Sequence, residues 1–466
     1  MQQHPTQAYA QLQRPPQSGL ELFGPQFAAN PEAYYAHLRG LGPCARVHIG
    51  PGVEVTLVTD YALALKILKD STNFSRNSDP WLASGLVPAD SPVLAMVRRR
   101  PNALFSDGQV HARLRAAVVH SLKDLPKQRL TRLTQFNAEM LVDQFAQQGR
   151  QADLMTQFCG PLPPLILGGL FGCPEDIGAE VTEGITGIFT GREGADALLS
   201  SALEELIKLK QKYPSDDITT RLLQYSSPYD PPLTVEEAIN QLVTMLSGGT
   251  LPLSAAIGSA LGLCLGEDRY REGGLPVEDA VMEAFRRFSP IANYAGHFPV
   301  RDISLDGMYF QAHEPILISF AAVNNDHAQR AQDGQQPGMA AELGRAHLAF
   351  GAGLHACPAK DPATLIAVAA VETLLSKLPD VELAMPYAQL PWREDPWSRS
   401  LECLPIAFTH AEPSRIAAVS APRGPAAHAK PATAHSAHTA TDQPSTGEPT
   451  GWGRLFGRVA AWLRGE

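Results

Sequence analysis

Cysteine is scarce in this sequence, and its six cysteines are widely separated. No two of them form a CxxC pair, so neither a zinc site nor a disulfide framework is indicated. This usage predicts a reducing compartment such as the cytoplasm. The six are Cys44, Cys159, Cys173, Cys264, Cys357 and Cys403.

An excess of basic residues is also lacking, since the formal net charge is −10 at pH 7. Proteins that bind nucleic acid usually carry a basic surface, so that function class is excluded. Hydrophobic residues make up 44% of the 466 residues. That is enough for one large core or two smaller ones without disulfides.

The first segment, MQQHPTQAYAQLQRPPQ, lacks the apolar stretch of a signal peptide. No run of about 18 apolar residues is evident, which predicts that no helix spans a membrane. These absences favour a cytoplasmic enzyme of bacterial type.

Composition divides the chain into four parts. Residues 1–18 are predicted to be disordered, and residues 19–413 to form the folded domain. Residues 414–450, rich in Ala, Pro and Thr, are predicted to be a disordered linker, because they bury too little apolar surface. Residues 451–466 are predicted to form an amphipathic helix, which would contact a membrane surface, a protein partner or its own chain. Its apolar face consists of Trp452, Leu455, Phe456, Val459 and Leu463.

Helical periodicity dominates the folded part. Apolar residues recur at helical spacing in TRLTQFNAEMLVDQFAQQ, TVEEAINQLVTMLSGGT and PATLIAVAAVETLLSKLP. Strand-like runs are few, namely VEVTLVTD, ISLDGMYF and PILISFAAV. The predicted fold class is mainly α with small β-sheets.

The most informative stretch begins at His347 and reads HLAFGAGLHACPAKDPATLIAVAAVETLL. Its glycines would let the backbone turn tightly and approach a flat ligand. A cysteine at the start of a helix lies near unpaired N–H groups and the positive end of the dipole, which favours the thiolate. A thiolate ligand of haem iron favours O–O cleavage. The positions of this motif are Phe350, Gly351, Gly353, His355 and Cys357.

A lone cysteine is more often a small buried hydrophobic residue than a ligand. The pattern FGxGxHxC argues otherwise, because it resembles the haem-ligand signature of the cytochrome P-450 superfamily, most closely its soluble actinobacterial members. It departs from the signature only after Cys357, where Ala359 stands in place of the usual glycine. The resemblance implies haem b, with Cys357 as the iron ligand and Phe350 against the sulfur side. It also implies the cytochrome P-450 fold, in which the haem lies between a long central helix and the cysteine-bearing loop.

Two further motifs precede the cysteine in the order that the family shows. Glu283 and Arg286 match its ExxR, which in the family is a structural ion pair; residues at i and i+3 are neighbours on a helix. The following stretch resembles the family's AxNxD, here Ala322, Asn324 and Asp326.

The resemblance also implies which residues bind the haem propionates. His111 and Arg115 lie on one helix face, and arginine recognises carboxylates by charge-assisted hydrogen bonds. His355 is the third partner. Many relatives have an arginine after the ExxR helix, and His297 occupies that position here. Because histidine carries little charge at neutral pH, this contact is expected to be weaker.

The central helix departs from the family pattern AGx[DE]T, in which an acid and an alcohol serve the oxygen site. Thr250 replaces the acid, Leu251 replaces the alcohol, and Pro252 follows. The catalytic candidates are therefore Thr250, as a displaced hydroxyl, with Gly248 and Gly249. These glycines and the proline are expected to open or kink the helix.

The resemblance implies a monooxygenase that inserts one oxygen atom into a small, largely apolar molecule. Electrons would come from a separate ferredoxin or flavodoxin-type donor docking near Cys357, where Lys360 is available. Two alternatives stay open: a haem-binding regulatory protein with an impaired oxygen site, and a peroxide-using haem-thiolate enzyme. The substrate-contact candidates are Trp81, Leu82, Leu94, Met96, Leu251, Ile291, Asn293, Tyr294 and Trp397.

Overall fold

The computed structural model describes residues 13–123, 125–189, 192–228, 230–271, 274–332 and 346–412. The predicted linker and C-terminal helix lie outside these residues. The predicted disorder of residues 1–18 is wrong at its end, because a strand begins at Gln17. Its backbone is held by a neighbouring strand: Arg46 N–H donates to the Pro16 carbonyl over 2.8 Å, and Ser18 Oγ donates to the Arg46 carbonyl over 2.7 Å.

Three small sheets supply the β portion of the described residues. The largest has the order β1-β2-β3-β9-β6-β4, the second has the order β10-β11-β5, and β7 and β8 form a hairpin. The strands are β1 Gln17–Glu21, β2 Cys44–Gly50, β3 Val53–Val58, β4 Phe74–Ser75, β5 Gln151–Asp153, β6 Asn293–Pro299, β7 Ile303–Leu305, β8 Met308–Phe310, β9 Ile316–Ser319, β10 Glu382–Leu383 and β11 Pro405–Ala407.

Helices make up most of the described chain, as predicted. The α-helices are Gly24–Ala29, Pro31–Leu41, Tyr61–Lys69, Asp79–Ala83, Leu94–Val97, Gly108–Leu122, Lys127–Gln148, Leu162–Phe171, Glu175–Phe189, Ala195–Lys212, Ile218–Gln224, Val235–Gly266, Asp268–Arg271, Val277–Arg287, Phe320–Gln332 and Lys360–Lys377. Short 3₁₀ segments cover Ala103–Phe105, Gly353–His355 and Tyr387–Gln389, and a π-helix covers Met155–Cys159. The three helical patterns and the strand VEVTLVTD are confirmed by these bounds, and ISLDGMYF forms the two strands of a hairpin. The strand-like run PILISFAAV is confirmed only over Ile316–Ser319, because the helix Phe320–Gln332 begins directly after it.

The helix Val235–Gly266, called the central helix below, begins with a capping box. Thr234 Oγ1 accepts from Glu237 N–H over 3.1 Å, and Thr234 N–H donates to a Glu237 carboxylate oxygen over 2.9 Å. The residues from Leu253 to Leu265 are buried. The helix is therefore surrounded by the main core over these residues, and it packs against the helices Val277–Arg287 and Lys360–Lys377.

The expected opening of the central helix at Gly248–Pro252 is wrong. The helix is continuous from Val235 to Gly266, with Pro252 inside it. Burial of the following residues stabilises the helical backbone on both sides of the proline, and such packing routinely overrides local propensity. Proline still lacks an N–H, so the carbonyl of Gly248, four residues earlier, loses its usual donor.

The central helix also corrects the expectation that no helix could span a membrane. It is long and apolar enough to do so, but 78% of its apolar window is buried inside the protein. A core helix with its whole circumference buried has this composition for packing reasons.

Candidate functional site

The segment Phe350–Cys357, called the cysteine loop, is shaped by two glycines. Gly351 and Gly353 have φ values of +70° and +71°, a left-handed conformation that L-residues with a Cβ rarely adopt. A Cβ on Gly353 would lie 2.4 Å from the carbonyl oxygen of Leu68. The tight approach at Gly353 is therefore to the end of the helix Tyr61–Lys69, as well as to any flat ligand.

The cysteine loop brings Cys357 to a recess next to the helix Lys360–Lys377. The Cys357 N–H donates to the Phe350 carbonyl over 2.8 Å, which closes the loop. The side chain is accessible, although burial of its surroundings raises the pKa of the thiol. The backbone N–H of Ala359 donates to the sulfur, and the charge of Arg115 is nearby; both lower the pKa. These two contacts favour the thiolate. Burial outweighs them, so the pKa of the thiol stays above its ordinary value and the thiolate at Cys357 stays a prediction.

The ExxR helix, Val277–Arg287, packs against the cysteine loop through aromatic rings. The rings of Phe285 and Phe350 have centroids 4.7 Å apart. Asn324 connects the chain after the ExxR helix to the chain before the cysteine loop by hydrogen bonds. Its Nδ2 donates to Ser289 Oγ over 2.9 Å, and its Oδ1 accepts from Leu348 N–H over 2.7 Å. Both amide atoms of this buried side chain are therefore used to hold the start of the loop.

The predicted ion pair between Glu283 and Arg286 is present but long, at 3.9 Å. Glu283 makes its shorter contacts with Arg269 at 2.7 Å and with the Tyr270 hydroxyl at 3.0 Å. These interactions lower the pKa of Glu283 against the effect of its burial. Sequence reasoning missed Arg269 and Tyr270, because they belong to a different helix, Asp268–Arg271.

The predicted propionate partners converge beside the cysteine loop. The rings of His111 and His355 have centroids 4.1 Å apart, and Arg115 donates to the Ala356 carbonyl. Burial, together with Arg76, His111 and Arg115, lowers the pKa of His355 to about 3. Burial and Arg115 also lower the pKa of His111. Neutral imidazoles here are hydrogen-bonding groups that leave the positive charge to the arginines.

His297 lies at the same place, but it has a partner that the sequence pattern did not indicate. The guanidinium Nη1 of Arg76 is 3.3 Å from Nδ1 of His297. Both residues are buried. No sequence motif singled out Arg76, which directly follows β4 and reaches His297 because β4 pairs with β6.

These residues fit the haem that the sequence motifs imply. His111 Nε2 is buried without a hydrogen-bond partner among the described residues, so it is available for an acceptor. Two arginines and three histidines gather around it, and such a set suits carboxylates. Cys357, on the same loop as His355, has the donor chemistry for the iron. The residues that would hold the group are Arg76, His111, Arg115, His297, His355 and Cys357.

The middle of the central helix presents Gly248 to an open side. A Cβ on Gly248 would meet no atom within 4 Å, whereas a Cβ on Gly249 would lie 3.0 Å from Leu167. Thr250 is buried, and its hydroxyl donates to the Leu246 carbonyl over 2.7 Å. The expected displaced hydroxyl is thus bound to the helix backbone, and Gly249 serves close packing between helices. The open side belongs to Gly248, with Leu251 partly exposed one turn later.

The substrate-contact candidates divide into two groups. Trp81, Met96 and Tyr294 line one small cavity together with Arg76. Asn293 is instead structural, since its Nδ2 donates to the Tyr35 hydroxyl over 2.9 Å and to the Pro396 carbonyl over 2.8 Å.

The other candidates lie near the cavity or in the core around it. The Trp397 ring stands edge-on to Tyr294 at 6.0 Å. Leu82, Leu94 and Trp397 pack against the same apolar cluster as Trp81. Ile291 packs against another cluster and bridges to Ser398.

Comparisons with known proteins give one consistent result. No family model matches the chain. The cytochrome P450 monooxygenase PikC of Streptomyces venezuelae is 30% identical over 405 residues, which are 84% of this chain and 95% of that protein. The 2-hydroxy-5-methyl-1-naphthoate 7-hydroxylase of Streptomyces carzinostaticus is 28% identical over 371 residues, covering 75% and 88% of the two chains.

Solved structures agree with these relatives. CYP154C4 from Streptomyces sp. W2061 superposes with a TM-score of 0.76 at 24% identity, covering 85% of this chain and 99% of that one. CYP154A1 from Streptomyces coelicolor has a TM-score of 0.70 at 26% identity, covering 84% and 100%.

The shape of the cysteine loop gives a testable prediction. We expect Gly353→Ala to reduce the haem content of the purified protein and to lower its melting temperature, because the methyl group would collide with backbone atoms of Leu68. Gly85→Ala is the matched control: Gly85 also has a positive φ, +75°, but has nothing within 4 Å of a Cβ. The control should cost only about 1–2 kcal/mol of stability and keep full haem content. Equal behaviour of the two variants would contradict the packing argument.

Proposed function

The chain belongs to the cytochrome P450 family and is a haem-thiolate monooxygenase, and we propose that it inserts one oxygen atom into a small, largely apolar molecule. The single observation that carries the site assignment is the cysteine loop, which holds Cys357 beside the group of arginines and histidines. When bound, the haem supplies the iron at which oxygen is activated, and thiolate ligation favours O–O cleavage. Haem b is the form we propose.

An apolar substrate is supported by the side chains around the small cavity. Its lining is mostly aromatic and aliphatic, with Trp81, Met96 and Tyr294 among the predicted contacts. The Tyr294 hydroxyl already donates to the Met96 carbonyl over 3.0 Å. A site of this composition selects by shape and apolar contact, with few hydrogen bonds to offer.

An external electron donor is proposed as the partner. The resemblance to the cytochrome P450 family implies such a donor, and the exposed surface next to Cys357 would suit docking. Leu354 is 57% exposed in the cysteine loop, and the Lys360 ammonium lies 5.9 Å from the centre of the Phe350 ring. A ferredoxin or flavodoxin-type protein, being acidic, would complement this lysine.

The relatives compared above are named as a monooxygenase and a hydroxylase, which does not favour the regulatory or peroxide-using alternatives.

We keep two proposals from the sequence: a cytoplasmic location and a partner or membrane contact for residues 451–466. Deletion of residues 451–466 followed by a vesicle sedimentation assay would test that contact.

The iron ligand is tested by absorption spectroscopy. We expect the reduced protein with carbon monoxide to show the long-wavelength band of a thiolate-ligated haem, because Cys357 supplies the axial sulfur. Cys357→His should shift this band to the neutral-ligand position, and Cys403→Ala should leave it unchanged. A protein that stays colourless after haem supplementation, or a neutral-ligand band in the unaltered chain, would refute the assignment.

Whether the open side of the central helix at Gly248 faces the iron is tested by a pair of variants. Gly248→Ala should weaken binding of imidazole to the iron about tenfold, because its methyl group enters the open side. Alanine is the better helix former by about 1 kcal/mol, so the variant should not lose stability. Thr250→Val should change imidazole binding less than twofold, because the Thr250 hydroxyl bonds to Leu246.

The imidazole titration is read from the Soret band, with melting temperatures as the check on folding. Product formed per NAD(P)H consumed provides a second readout once a spin-shift screen has found a substrate. A large loss of coupling in Thr250→Val would return the hydroxyl to the catalytic role that the sequence suggested.

A further inference from the structure

Arg76 is positively charged and contacts His297, the position at which many relatives have an arginine. The residue after β4 stands across from β6, whose register pairs Phe74 with Pro299 and Ser75 with Phe298. Continuing this antiparallel register by one step brings Arg76 opposite His297, the position that holds an arginine in many relatives. The 3.3 Å contact between the two side chains agrees with that register.

The backbone and side chain of Arg76 are held by separate groups. Its backbone N–H donates to both carboxylate oxygens of Asp107, at 3.0 and 3.1 Å, and Ser75 Oγ donates to the same carboxylate over 2.5 Å. Nε donates to the Leu104 carbonyl over 3.3 Å. Asp107 is thus engaged with the backbone, and among the described residues no carboxylate forms an ion pair with the guanidinium.

A buried guanidinium without an ionic partner is unfavourable unless an anion completes the site. Arg76 is 6% exposed, and His297, His111, His355 and Arg115 offer no negative charge. The nearby Asp107 carboxylate raises the pKa of Arg76, but its hydrogen bonds go to the Arg76 backbone N–H and the Ser75 hydroxyl rather than to the guanidinium. A carboxylate at this place would satisfy the remaining N–H groups of Arg76 and receive two parallel hydrogen bonds.

We propose that Arg76 is a propionate-binding arginine of this chain, which supplies from the residue after β4 the charge that His297 does not carry on β6. The proposal rests on the haem assignment above. His297 then orients the guanidinium, and the two side chains act as one carboxylate site. The positive charge of the site is then carried by the residue after β4 instead of by a residue of β6, and the site can still bind a carboxylate.

A substrate carboxylate is the other occupant that this chemistry allows, because Arg76 also lines the cavity with Trp81 and Tyr294. The propionate is favoured by the rest of the cluster: His111 and His355 are in ring contact, and Arg115 contacts the cysteine loop. An arginine that served substrate alone would have no reason to join this group.

The experiment measures haem release from the ferric holoprotein to excess apomyoglobin. Arg76→Gln should release haem about tenfold faster, the effect of losing one charge-assisted hydrogen-bonding group. Its midpoint reduction potential should fall, because a positive charge near the haem stabilises the reduced form. Arg99→Gln is the matched control, since Arg99 is a surface arginine 3.4 Å from Asp79, and it should change neither quantity.

The double variant Arg76→Gln/His297→Arg supplies the decisive comparison. It returns the guanidinium to β6 and should bring the release rate to within about threefold of the unaltered protein. If Arg76→Gln does not fold, Arg76→Lys is measured instead. Lysine keeps the positive charge but cannot form the paired hydrogen bonds of a guanidinium, so haem release is expected to be a few-fold faster. An unaltered release rate in the variant that folds, or no recovery in the double variant, would overturn the proposal.

The two occupants and the underlying haem assignment are separated by further readouts. If Arg76→Gln keeps the release rate and potential but weakens the spin-state response to dodecanoate, Arg76 serves a substrate carboxylate and the proposal fails. The carbon monoxide spectrum of the unaltered protein is recorded first. Its failure would refute the haem-thiolate assignment, whereas a normal spectrum with unchanged Arg76 variants would refute only the role of Arg76.

Discussion

The geometry of one loop determines whether this protein can bind its cofactor. A hydrogen bond of 2.8 Å from Cys357 N–H to the Phe350 carbonyl closes the cysteine loop, and two glycines with positive φ allow its turns. The loop is then held from outside, by Phe285 on one helix and by Asn324 on another. These supports hold the backbone of the loop that carries Cys357, the proposed iron ligand.

Positive charge predominates among the side chains around the cysteine loop. Burial would normally disfavour positive charge, yet Arg76 and Arg115 both lie in this region and both have a pKa lowered by desolvation. Such a cluster is stable when an anionic group shares it. We propose above that the haem carboxylates supply this anionic group, and haem binding would then stabilise the folded chain.

The central helix differs from the family pattern at the turn that contains Thr250, Leu251 and Pro252. Family members place an acid and an alcohol on it, and this chain has Thr250, Leu251 and Pro252 at that turn. Packing keeps the helix continuous, the threonine hydroxyl bonds to its own helix, and Gly248 is left on the open side with a carbonyl that lacks its usual donor. Thr250, Leu251 and Pro252 offer no carboxylate side chain for proton delivery at this turn.

Local sequence was sufficient wherever a function depends on spacing within one segment. The cysteine loop, the ExxR helix and the pair His111 and Arg115 are each contained in a few turns of chain, so fixed intervals predicted them. The mainly helical fold class followed in the same way from apolar periodicity.

Interactions between distant segments were decided by tertiary structure. Arg76 meets His297 only because β4 pairs with β6, 221 residues away in sequence. Arg269 reaches Glu283 from a separate helix, and Gly249 is required by Leu167. Side-chain identity and spacing carry no information on strand register or helix contacts, so the contact of Arg76 with His297 and the direction of the Thr250 hydroxyl became visible only in the folded chain.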